Sequence, residues 1–526
     1  MADQAPGAET ADVVIVGAGP TGLMLAIELC LAGVRPAILD RLTAISEIPK
    51  GNGLVGHIVP ALDHRDLLDR LRAGATYAGP VPSFSFGPLR LELSRLGVSP
   101  LHVLAIPQRR LEQRLEDRLA ELGGSVRRGH EVTALVQEAD GVVLPVRAPA
   151  GQYLLKASYA VGCDGAHSLV RKLAGISFPG VTSGAVMRLG RVTLPTATIV
   201  PGTTEIDVPG AGRLRLVEQV KTSGGGYSLA PLASLDAAAA PDTYIVSTRE
   251  QAADVDLGQP MTLAELSASV SRVIGADLPM TEPQWLSRTV GNSRQAARYQ
   301  AGRVLLAGDA AHVFGAGGSL NVGLLDALNL GWKLAAQVSG SAPQGVLASY
   351  HTERHAAGRQ YLMQTRVQKA LSGDDEEAQA LRDLIGELLT YPDVLRHLGE
   401  LVEGSAVRYD MPAGRACPHP LTGTFVPDFG LAIAGRKTRV AELMRAGRFV
   451  LLDLTSGGRV AATAVHWTEP VPLLAEPLSK PAPADALLIR PDGYVAWASG
   501  PGDADPAAGL RDALTAWRGA GQAGAG

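Results

Sequence analysis

Three glycines near the start of the chain have the spacing of a dinucleotide-binding turn. Gly17, Gly19 and Gly22 form a GxGxxG pattern. In such a turn the first glycine permits a tight bend, the second lets the backbone approach a pyrophosphate, and the third lets a helix pack closely on a strand. The pyrophosphate lies at the helix N-terminus, where backbone N–H groups point at the anion, and Asp40 can accept a hydrogen bond from a ribose hydroxyl. The segment therefore predicts a dinucleotide site.

Two more carboxylates, Asp164 and Asp309, indicate which dinucleotide it is. Each follows an apolar run typical of a buried strand, stands beside a glycine and precedes a helix. A strand that ends in this way can place a carboxylate on sugar hydroxyls and several backbone N–H groups on the anionic edge of a ring. This arrangement suits FAD. A second GxGxxG turn for a separate nicotinamide domain is not found in the sequence.

The elements that must position these residues follow from the apolar pattern. Val13 to Val16 is a continuous apolar run typical of a buried parallel strand. Leu23, Ile27 and Leu31 recur at helical spacing after the glycines, and a second strand-like run from 37 to 39 leads into Asp40. Strand, glycine turn, helix and strand in this order predict an α/β fold.

Composition narrows the class of protein. The chain has 526 residues, enough for three or four domains. Its 48 Lys and Arg against 52 Asp and Glu give a net charge of −4, which argues against a nucleic-acid-binding surface. Cys30, Cys163 and Cys417 are widely spaced, so we expect no disulfide framework and no metal site. Without an apolar run long enough to span a membrane or a secretory leader, the expected compartment is the cytoplasm.

Six ordered motifs resemble one family. They are GAGPTGLMLA from residue 17, PKGNGLVGHIVPALDHRDLLDR at 49–70, AIPQRRLEQRL at 105–115, CDGAHSLVR from 163, WLSRTVGNSRQAARYQAGRVLLAGDAAH at 285–312 and RPDGYVAW at 490–497. Together they span nearly the whole chain and resemble the class A FAD-dependent aromatic hydroxylases of the para-hydroxybenzoate hydroxylase type. Within that family the chain is most similar to bacterial aromatic polyketide hydroxylases.

The resemblance implies a set of cofactor-binding residues. They are Gly17, Gly19, Pro20, Thr21, Gly22, Asp40, Arg41, Lys50, Gln108, Asp164, Asp309, Gly317, Gly318, Leu320 and Asn321. By analogy with the family, Gln108 contacts the FAD chain, Asp309 binds the ribityl hydroxyls, and residues 317–321 offer backbone donors to the flavin ring. The motif with Asp164, Ser168 and Arg171 is associated in the family with both FAD and reduced nicotinamide.

The resemblance also implies a reaction. NADPH or NADH reduces FAD, O2 forms a C4a-hydroperoxyflavin, and one oxygen is transferred to an aromatic polyketide. The turn HVFGAGGSLN is shorter than is usual in the family, so we expect the loop that shapes the oxygen chemistry to differ. Baeyer-Villiger oxygenation of a ketone or quinone remains an alternative, as do a flavin oxidase or dehydrogenase and a non-catalytic flavin-binding module. A homodimer is a further possibility.

The expected architecture has three parts. They are a Rossmann-like FAD-binding domain in two segments (1–180 and 285–405), a mixed-sheet substrate domain (181–284) and a C-terminal thioredoxin-like domain (406–526). A strand-like insertion is predicted near 80–105 and a helix at 262–274. Because the tail has no CxxC pair, it cannot perform dithiol chemistry and is expected to pack or dimerise.

No catalytic acid or base follows from the sequence. The candidates are His57, Tyr227 and Arg288, and each has a structural interpretation beside the catalytic one. His57 faces either the substrate or solvent. Tyr227 donates to a substrate oxygen or packs in a core, and Arg288 orients the substrate or pairs with an acid. Asn292 and Arg294 have the same two interpretations as Arg288, and structural pairing is favoured for all three. The remaining expectations are structural: His312 holds a turn, Trp332 and Cys163 pack in the interior, and surface positions are predicted for His64, His167, His351 and His355.

Overall fold

The structure is a computed structural model that describes most of the chain. The described residues are 9–47, 53–216, 220–234, 239–251, 256, 259–315, 317–373, 375–412, 418–455, 457–467, 469–470, 472–479 and 481–519. We divide them into a first unit (9–179 and 296–405), an antiparallel unit (180–295) and a C-terminal unit (406–519). No helix in these ranges is long and apolar enough to cross a membrane.

The first unit is built on a sheet with a parallel centre. Five parallel strands lie in the order Val304–Leu306, Gly151–Gly162, Glu9–Val16, Ala37–Asp40 and Val126–Arg128. Short strands extend it with antiparallel pairs at Glu131–Val132, Val136–Gln137, Val142–Ala148 and Gln300–Ala301. Parallel neighbours need a crossover connection, and the helix Pro20–Leu31 supplies it between the strands that begin at 9 and 37. This is the predicted Rossmann-like arrangement.

Local sequence explains the elements at the centre of this sheet. Val13, Val14 and Ile15 are fully buried, as expected for a strand covered on both faces. The next helix starts with Pro20 at its first position, where the missing N–H costs nothing, and it ends before Gly33, which has φ +84°. The chain therefore makes a strand, a turn and a helix from residue 9 to residue 31 by local rules.

Other helices of the first unit pack around the sheet or beside it. The central helix (Ser319–Val338) is buried along most of its length and packs against the helix Pro20–Leu31 and the long helix (Ser349–Leu371). The remaining helices are Ile58–Asp63, Leu68–Arg72, Gln108–Glu121, Leu169–Leu173, Glu376–Leu388 and Pro392–Glu403. The insertion near 80–105 forms short strands, as predicted: a hairpin of Phe84–Phe86 with Leu89–Leu91, and a small sheet of Leu54–Val55, His102–Ala105 and Tyr77–Pro80.

The antiparallel unit departs from the sequence-based expectation of a mixed sheet. Its main sheet has the order Val220–Thr222, Gly225–Pro231, Thr243–Gln251, Gly180–Thr193, Thr281–Gln295 and His312–Val313. Each strand pair that the structure describes in this sheet is antiparallel. Parallel neighbours would need crossover connections, which these pairs do not use. The predicted helix is present as Leu263–Ile274, and a small sheet of Thr198–Ile199, Glu205–Val208 and Gly212–Arg215 lies beside it.

The C-terminal unit has a mixed sheet and a closing helix. Its strands have the order Pro472–Leu474, Val450–Asp453, Ala486–Ile489 and Val495–Ser499, with a parallel first pair and antiparallel pairs after it. The helix Pro506–Arg518 packs on this sheet, and a second sheet of Arg436–Arg439, Gly430–Ile433 and Glu476–Pro477 flanks it with the short helix Val440–Leu443. This topology agrees with the thioredoxin-like expectation.

Two of the predicted domain limits lie in strands of the antiparallel unit. The limit at 180 coincides with the start of the strand Gly180–Thr193, whereas the limit between 284 and 285 falls inside the strand Thr281–Gln295. That strand runs on toward the first unit and pairs there with His312–Val313. The antiparallel unit and the first unit are therefore joined by a continuous strand.

Candidate active site

The three glycines of the first turn have three different environments. An ideal Cβ on Gly17, which has φ +104°, would lie 2.4 Å from the Cys163 carbonyl oxygen. One on Gly22 would lie 2.0 Å from the carbonyl oxygen of Gly17, so the helix touches the turn there. A Cβ on Gly19 would meet no atom within 4 Å. Gly17 and Gly22 are thus required by close backbone contacts, whereas Gly19 leaves open space in front of the helix N-terminus.

Asp40 ends the second parallel strand beside this turn. Its Oδ2 accepts a hydrogen bond from the backbone N–H of Ala18 at 2.8 Å, and its Oδ1 accepts one from Leu42 at 2.8 Å. Arg128 approaches the same carboxylate at 3.7 Å. Each carboxylate oxygen can accept a second hydrogen bond. Asp40 is therefore fixed next to the glycine turn and still has capacity for a hydroxyl group, while Arg41 is exposed.

The turn Gly308–Ala310 carries Asp309 to the same end of the sheet. The Ala307 N–H donates to the Gly162 carbonyl oxygen at 3.0 Å, which fixes the entry to the turn. Thr21 of the first helix packs against it: an ideal Cβ on Gly308 would lie 2.6 Å from Thr21 Oγ1, and one on Gly323 would lie equally close. Asp309 itself has an exposed side chain. The turn and the two helices thus meet without space for larger residues.

A second helix N-terminus opens beside this turn. Gly317 and Gly318 have φ values of +90° and +88°, and an ideal Cβ on either would meet no atom within 4 Å. Gly318 is the N-cap of the central helix. Leu320 is half-buried, and Asn321 Oδ1 accepts a hydrogen bond from the Val55 N–H at 3.1 Å. The first N–H groups of this helix are available to an anionic ligand, which the helix dipole also favours.

The Asp164 motif is hydrogen-bonded to the Asp309 turn. Asp164 Oδ2 accepts from the N–H groups of Leu169 and Val170, and Ser168 Oγ caps the same short helix by accepting from the Arg171 N–H at 2.9 Å. Arg171 then donates to the carbonyl oxygens of Ala166 and Ala310, each at 2.9 Å. Arg171 is thus a clamp between the two turns. Asp164 Oδ1 is buried and has no hydrogen-bond partner among the described residues.

Sequence reasoning missed a buried carboxylate, Asp326, which holds the Asp309 turn from behind. Asp326 is fully buried on the central helix. Its Oδ2 accepts from the Gly308 N–H at 3.1 Å and pairs with His312 Nε2 at 2.6 Å, while its Oδ1 accepts from Arg354 Nε at 2.7 Å. Burial alone would raise the pKa of Asp326, but His312 and Arg354 outweigh it and the pKa lies below its ordinary value. The sequence signal was a carboxylate inside the apolar run LLDALNL.

The expected role of His312 is confirmed by this contact, since the imidazole holds the turn. Trp332 also has its expected place: it is buried and contacts Phe449 and Trp517 of the C-terminal unit. Cys163 is half-buried, and burial raises the pKa of its thiol, which keeps it protonated. His167 is exposed, as expected.

Other histidines occupy places that the sequence did not indicate. His57 does not face solvent: it is buried against Phe425, with Nδ1 3.5 Å from Glu403 Oε1, and lines a cavity of about 310 Å³ between the first and C-terminal units. His64, expected at the surface, is buried and stacks on Phe425, and burial together with Arg65 lowers its pKa to about 3. His351 and His355 are half-buried. The prediction for His64 was wrong because Phe425 of the C-terminal unit covers it.

The other two catalytic candidates are held by structural contacts. Tyr227 is buried in the core of the antiparallel unit. Arg288 donates to Glu265 Oε2 at 2.5 Å and to the carbonyl oxygens of Asp256 and Gln259. Arg294 donates to the Phe178 carbonyl oxygen and to Thr182, whose hydroxyl also donates to Asn292 Oδ1. Within the described part of the chain, Tyr227 therefore packs in a core and Arg288 pairs with an acid, which are the structural alternatives predicted for them.

The cofactor candidate Gln108 makes a hydrogen bond within its own helix. Gln108 is the first residue of its helix and donates to Glu112 Oε1 at 2.8 Å, one turn along. Lys50 lies outside the described residues. A wide cleft of about 670 Å³ also opens at the opposite end of the sheet, beside Thr10, Asp12 and Lys156. Ligands of parallel sheets bind at the carboxyl ends of the strands, so this cleft is not the cofactor site.

The residues at the carboxyl end of the sheet fit FAD. The open space at Gly19 lies where a pyrophosphate approaches a helix N-terminus, and the open space at Gly317 and Gly318 lies at a second one. Asp40 and Asp309 flank these spaces with carboxylates that can accept from sugar hydroxyls, and the unpartnered Asp164 Oδ1 lies between the two turns. The fold and the site together define a flavoprotein with a Rossmann-like cofactor domain.

Comparison with known proteins identifies the family. Residues 10–365 match the family model described as FAD binding domain, and residues 419–521 match the model described as aromatic-ring hydroxylase, C-terminal. The chain belongs to this family of FAD-dependent aromatic-ring hydroxylases and is a flavin-dependent monooxygenase.

Individual relatives cover the whole chain. It is 39% identical over 523 residues to a 12-dehydrotetracycline 5-monooxygenase/anhydrotetracycline 6-monooxygenase from Streptomyces rimosus, covering 97% of this chain and 99% of the relative. It is 38% identical over 510 residues to a dialkyldecalin synthase from Streptomyces rugosporus, covering 96% and 98%. The crystal structure of CabE, an aromatic hydroxylase from angucycline biosynthesis, matches with a TM-score of 0.85 at 36% identity and covers 97% and 100%.

Proposed function

We propose that this monooxygenase consumes NADPH or NADH together with O2 and hydroxylates an aromatic ring of a polycyclic polyketide. One observation carries the proposal: the end-to-end similarity to a tetracycline monooxygenase, with the glycine turn and both carboxylate turns in place. The CabE match extends the similarity to a second polycyclic system. Baeyer-Villiger oxygenation of a ketone or quinone is the alternative within the same chemistry.

FAD, when bound and reduced by the nicotinamide, supplies O2 activation: one oxygen atom enters the substrate and the other leaves as water. The protein supplies binding and electrostatics. In this proposal the N–H groups from Gly318 to Asn321 face the pyrimidine edge of the ring, where a reduced flavin carries negative charge. A helix N-terminus stabilises such charge by about 0.3–2 kcal/mol. Gly19, Pro20 and Thr21 hold the pyrophosphate.

In this proposal the sugar hydroxyls of FAD donate hydrogen bonds to the carboxylates of the site. Asp40 accepts from the adenosine ribose and Asp309 from the ribityl chain, while Asp164 lies between them with a free oxygen. Gln108, Arg41 and Lys50 belong to the same proposed set through the family motifs. Arg171 acts indirectly, because its two hydrogen bonds fix the backbone of both turns.

The antiparallel unit is the proposed substrate side, and it is hydrogen-bonded to the cofactor turn. Arg294 and Val313 are paired across the strands, and the Gly315 N–H donates to Ser293 Oγ at 3.1 Å. A substrate lying on the face of this sheet is therefore held in register with the glycine turn before Gly318. Such positioning and exclusion of water are the main contributions that a protein makes to an oxygen transfer of this kind.

Oxygen labelling tests the proposal. We would measure NADPH and NADH oxidation by FAD-loaded protein under 18O2 with a panel of polycyclic phenols and quinones, and determine product masses. One labelled oxygen on an aromatic carbon is the expected result, and label in a lactone would assign Baeyer-Villiger chemistry instead. Conversion without label or nicotinamide oxidation would contradict both and favour a cyclisation, as the name of the dialkyldecalin synthase suggests for that relative.

A further inference from the structure

A row of buried polar residues runs from the Asp309 turn to the C-terminal unit. Asp326, Asn329 and Lys333 lie three and four residues apart on one face of the central helix, and each is at most 1% exposed. The long helix places Glu353 and Arg354 against them. Seven residues of helix span about 10 Å, so the row links two distant places. We call these five residues, with Arg490 and Asp492, the polar ladder.

One end of the polar ladder is the cofactor turn. Asp326 accepts from the Gly308 N–H and from Arg354, as described above. Arg354 also donates from Nη2 to the Val322 carbonyl oxygen at 3.1 Å, in the first turns of the central helix. The positions of Asp309 and of the helix N-terminus thus depend on where Arg354 lies.

The other end is closed by the C-terminal unit. Arg490 donates from its two terminal nitrogens to both oxygens of Glu353, at 2.7 and 2.8 Å, which is a bidentate pair. Asp492 Oδ2 accepts from Asn329 Nδ2 at 3.0 Å, and Lys333 Nζ donates to Glu353 Oε2 at 2.7 Å. Two cations and two anions therefore balance here, all of them buried.

The same C-terminal turn, residues 490–494, supports Arg354 by a second route. Arg354 Nη1 donates to the Tyr409 hydroxyl at 3.0 Å, and the Tyr409 ring stacks on Tyr494 with centroids 4.0 Å apart. Arg65, paired with the buried Glu28, donates to the Pro491 carbonyl oxygen at 2.6 Å. The turn therefore contacts the central helix at Asn329 and the long helix at Glu353.

We propose that Arg490 and Asp492 are positioning residues for the flavin, acting through the polar ladder on the Asp309 turn and on the N-terminus of the central helix. Breaking a buried pair leaves an uncompensated charge, so the helices must shift to let water or another partner reach it. The ladder transmits that shift because Glu353 and Arg354 are adjacent residues of one rigid helix. This gives the C-terminal unit a role in cofactor binding that requires no dithiol.

Asp492→Asn is the test, and Asp453→Asn is its matched control. Asp453 is also a fully buried carboxylate of the C-terminal unit, but its described hydrogen bonds, from Thr455, Val460 and Ala461, stay within that unit. For each full-length variant we would measure urea unfolding without FAD, the FAD dissociation constant by flavin fluorescence, and the two-electron midpoint potential at saturating FAD.

We expect Asp492→Asn to weaken FAD binding at least tenfold and to shift the midpoint potential to more negative values. Each tenfold loss of preference for the reduced flavin corresponds to about 30 mV. Asp453→Asn should leave both quantities within twofold or a few millivolts of the parent even if it is equally destabilised. If instead the two variants match in FAD affinity and potential, the C-terminal turn only packs, and the proposal is overturned.

Tyr409→Phe keeps the test decisive if Asp492→Asn does not fold. It removes only the hydroxyl that accepts from Arg354 and retains the ring on Tyr494. We expect about a threefold weaker FAD complex and a potential shift in the same direction. An unchanged FAD affinity and potential in Tyr409→Phe would show that the C-terminal turn does not position the flavin through Arg354, and the proposal would be overturned. Neither readout depends on the substrate, so a failure here is distinct from a failure of the proposed hydroxylation.

Discussion

The same substitution, glycine to alanine, should affect different properties at two positions three residues apart: stability at Gly22 and FAD affinity at Gly19. In Gly22→Ala the new methyl group would lie 2.0 Å from the Gly17 carbonyl oxygen, well inside the 3.4 Å at which ordinary contact begins. That oxygen cannot move away easily, because Gly17 donates to the Leu39 carbonyl oxygen at 2.7 Å and lies against Cys163. The helix must therefore separate from the strand.

Gly19→Ala, in contrast, adds a methyl group to open space. Gly19 has φ −73° and ψ −178°, which alanine adopts without strain. The gain from a stiffer unfolded chain, about 0.4–1 kcal/mol, roughly offsets the few tenths lost at the N-cap. We expect the free energy of unfolding without FAD to change by no more than about 0.5 kcal/mol, against a loss of about 1–3 kcal/mol for the overpacked Gly22→Ala.

FAD binding separates the two variants further. If the pyrophosphate lies in front of Gly19, the methyl group of Gly19→Ala displaces it, and we expect at least a hundredfold weaker complex, about 2.8 kcal/mol. Urea unfolding of the apoprotein and flavin fluorescence titration measure the two quantities. A Gly19→Ala protein that binds FAD normally would refute the placement of the pyrophosphate, and a normally stable Gly22→Ala protein would refute the helix contact.

Two further predictions concern charged residues. Burial acts to raise the pKa of Glu353, but Arg490 and Lys333 outweigh it and hold the pKa well below the ordinary 4.5. Because the unfolded chain then binds more protons below that pH, the free energy of unfolding should fall as the pH drops below about 4.5. Glu353→Gln should flatten this part of a urea-unfolding pH profile, whereas an unchanged slope would assign the acid sensitivity to other carboxylates. Arg288→Met should lower stability by about 1–3 kcal/mol, because Glu265 loses a partner, yet leave kcat within about threefold in steady-state assays with the substrate found by labelling; a hundredfold lower kcat at unchanged stability would make Arg288 a catalytic residue.

Local patterns predicted the parts of the site that local rules control. The strand before Gly17, the helix after Gly19 and the turn at Asp309 follow from apolar runs and glycine spacing within about thirty residues. The helix Leu263–Ile274 was similarly predicted, and Thr262 accepts a hydrogen bond from the Glu265 N–H at its start. In such segments burial pattern, cap and turn all favour the same structure.

Partners distant in sequence decided the rest. The surface position predicted for His64 was wrong because nothing near this residue reveals that Phe425, far later in the sequence, covers it. Asp326 was missed because its partners, His312 and Arg354, approach from 14 residues before and 28 residues after it. The antiparallel sheet was mistaken for a mixed one because alternating runs do not specify strand direction.

The C-terminal turn, residues 490–494, affects the order in which buried contacts form during synthesis of the chain. Glu353 and Arg490 are separated by 137 residues. At about 5–20 residues per second, the ribosome synthesises Glu353 about 7 to 27 seconds before Arg490. During that interval Glu353 can pair with Lys333 but lacks its bidentate pair with Arg490. The buried contacts that support the cofactor turn from behind are therefore completed late, when most of the chain has been synthesised.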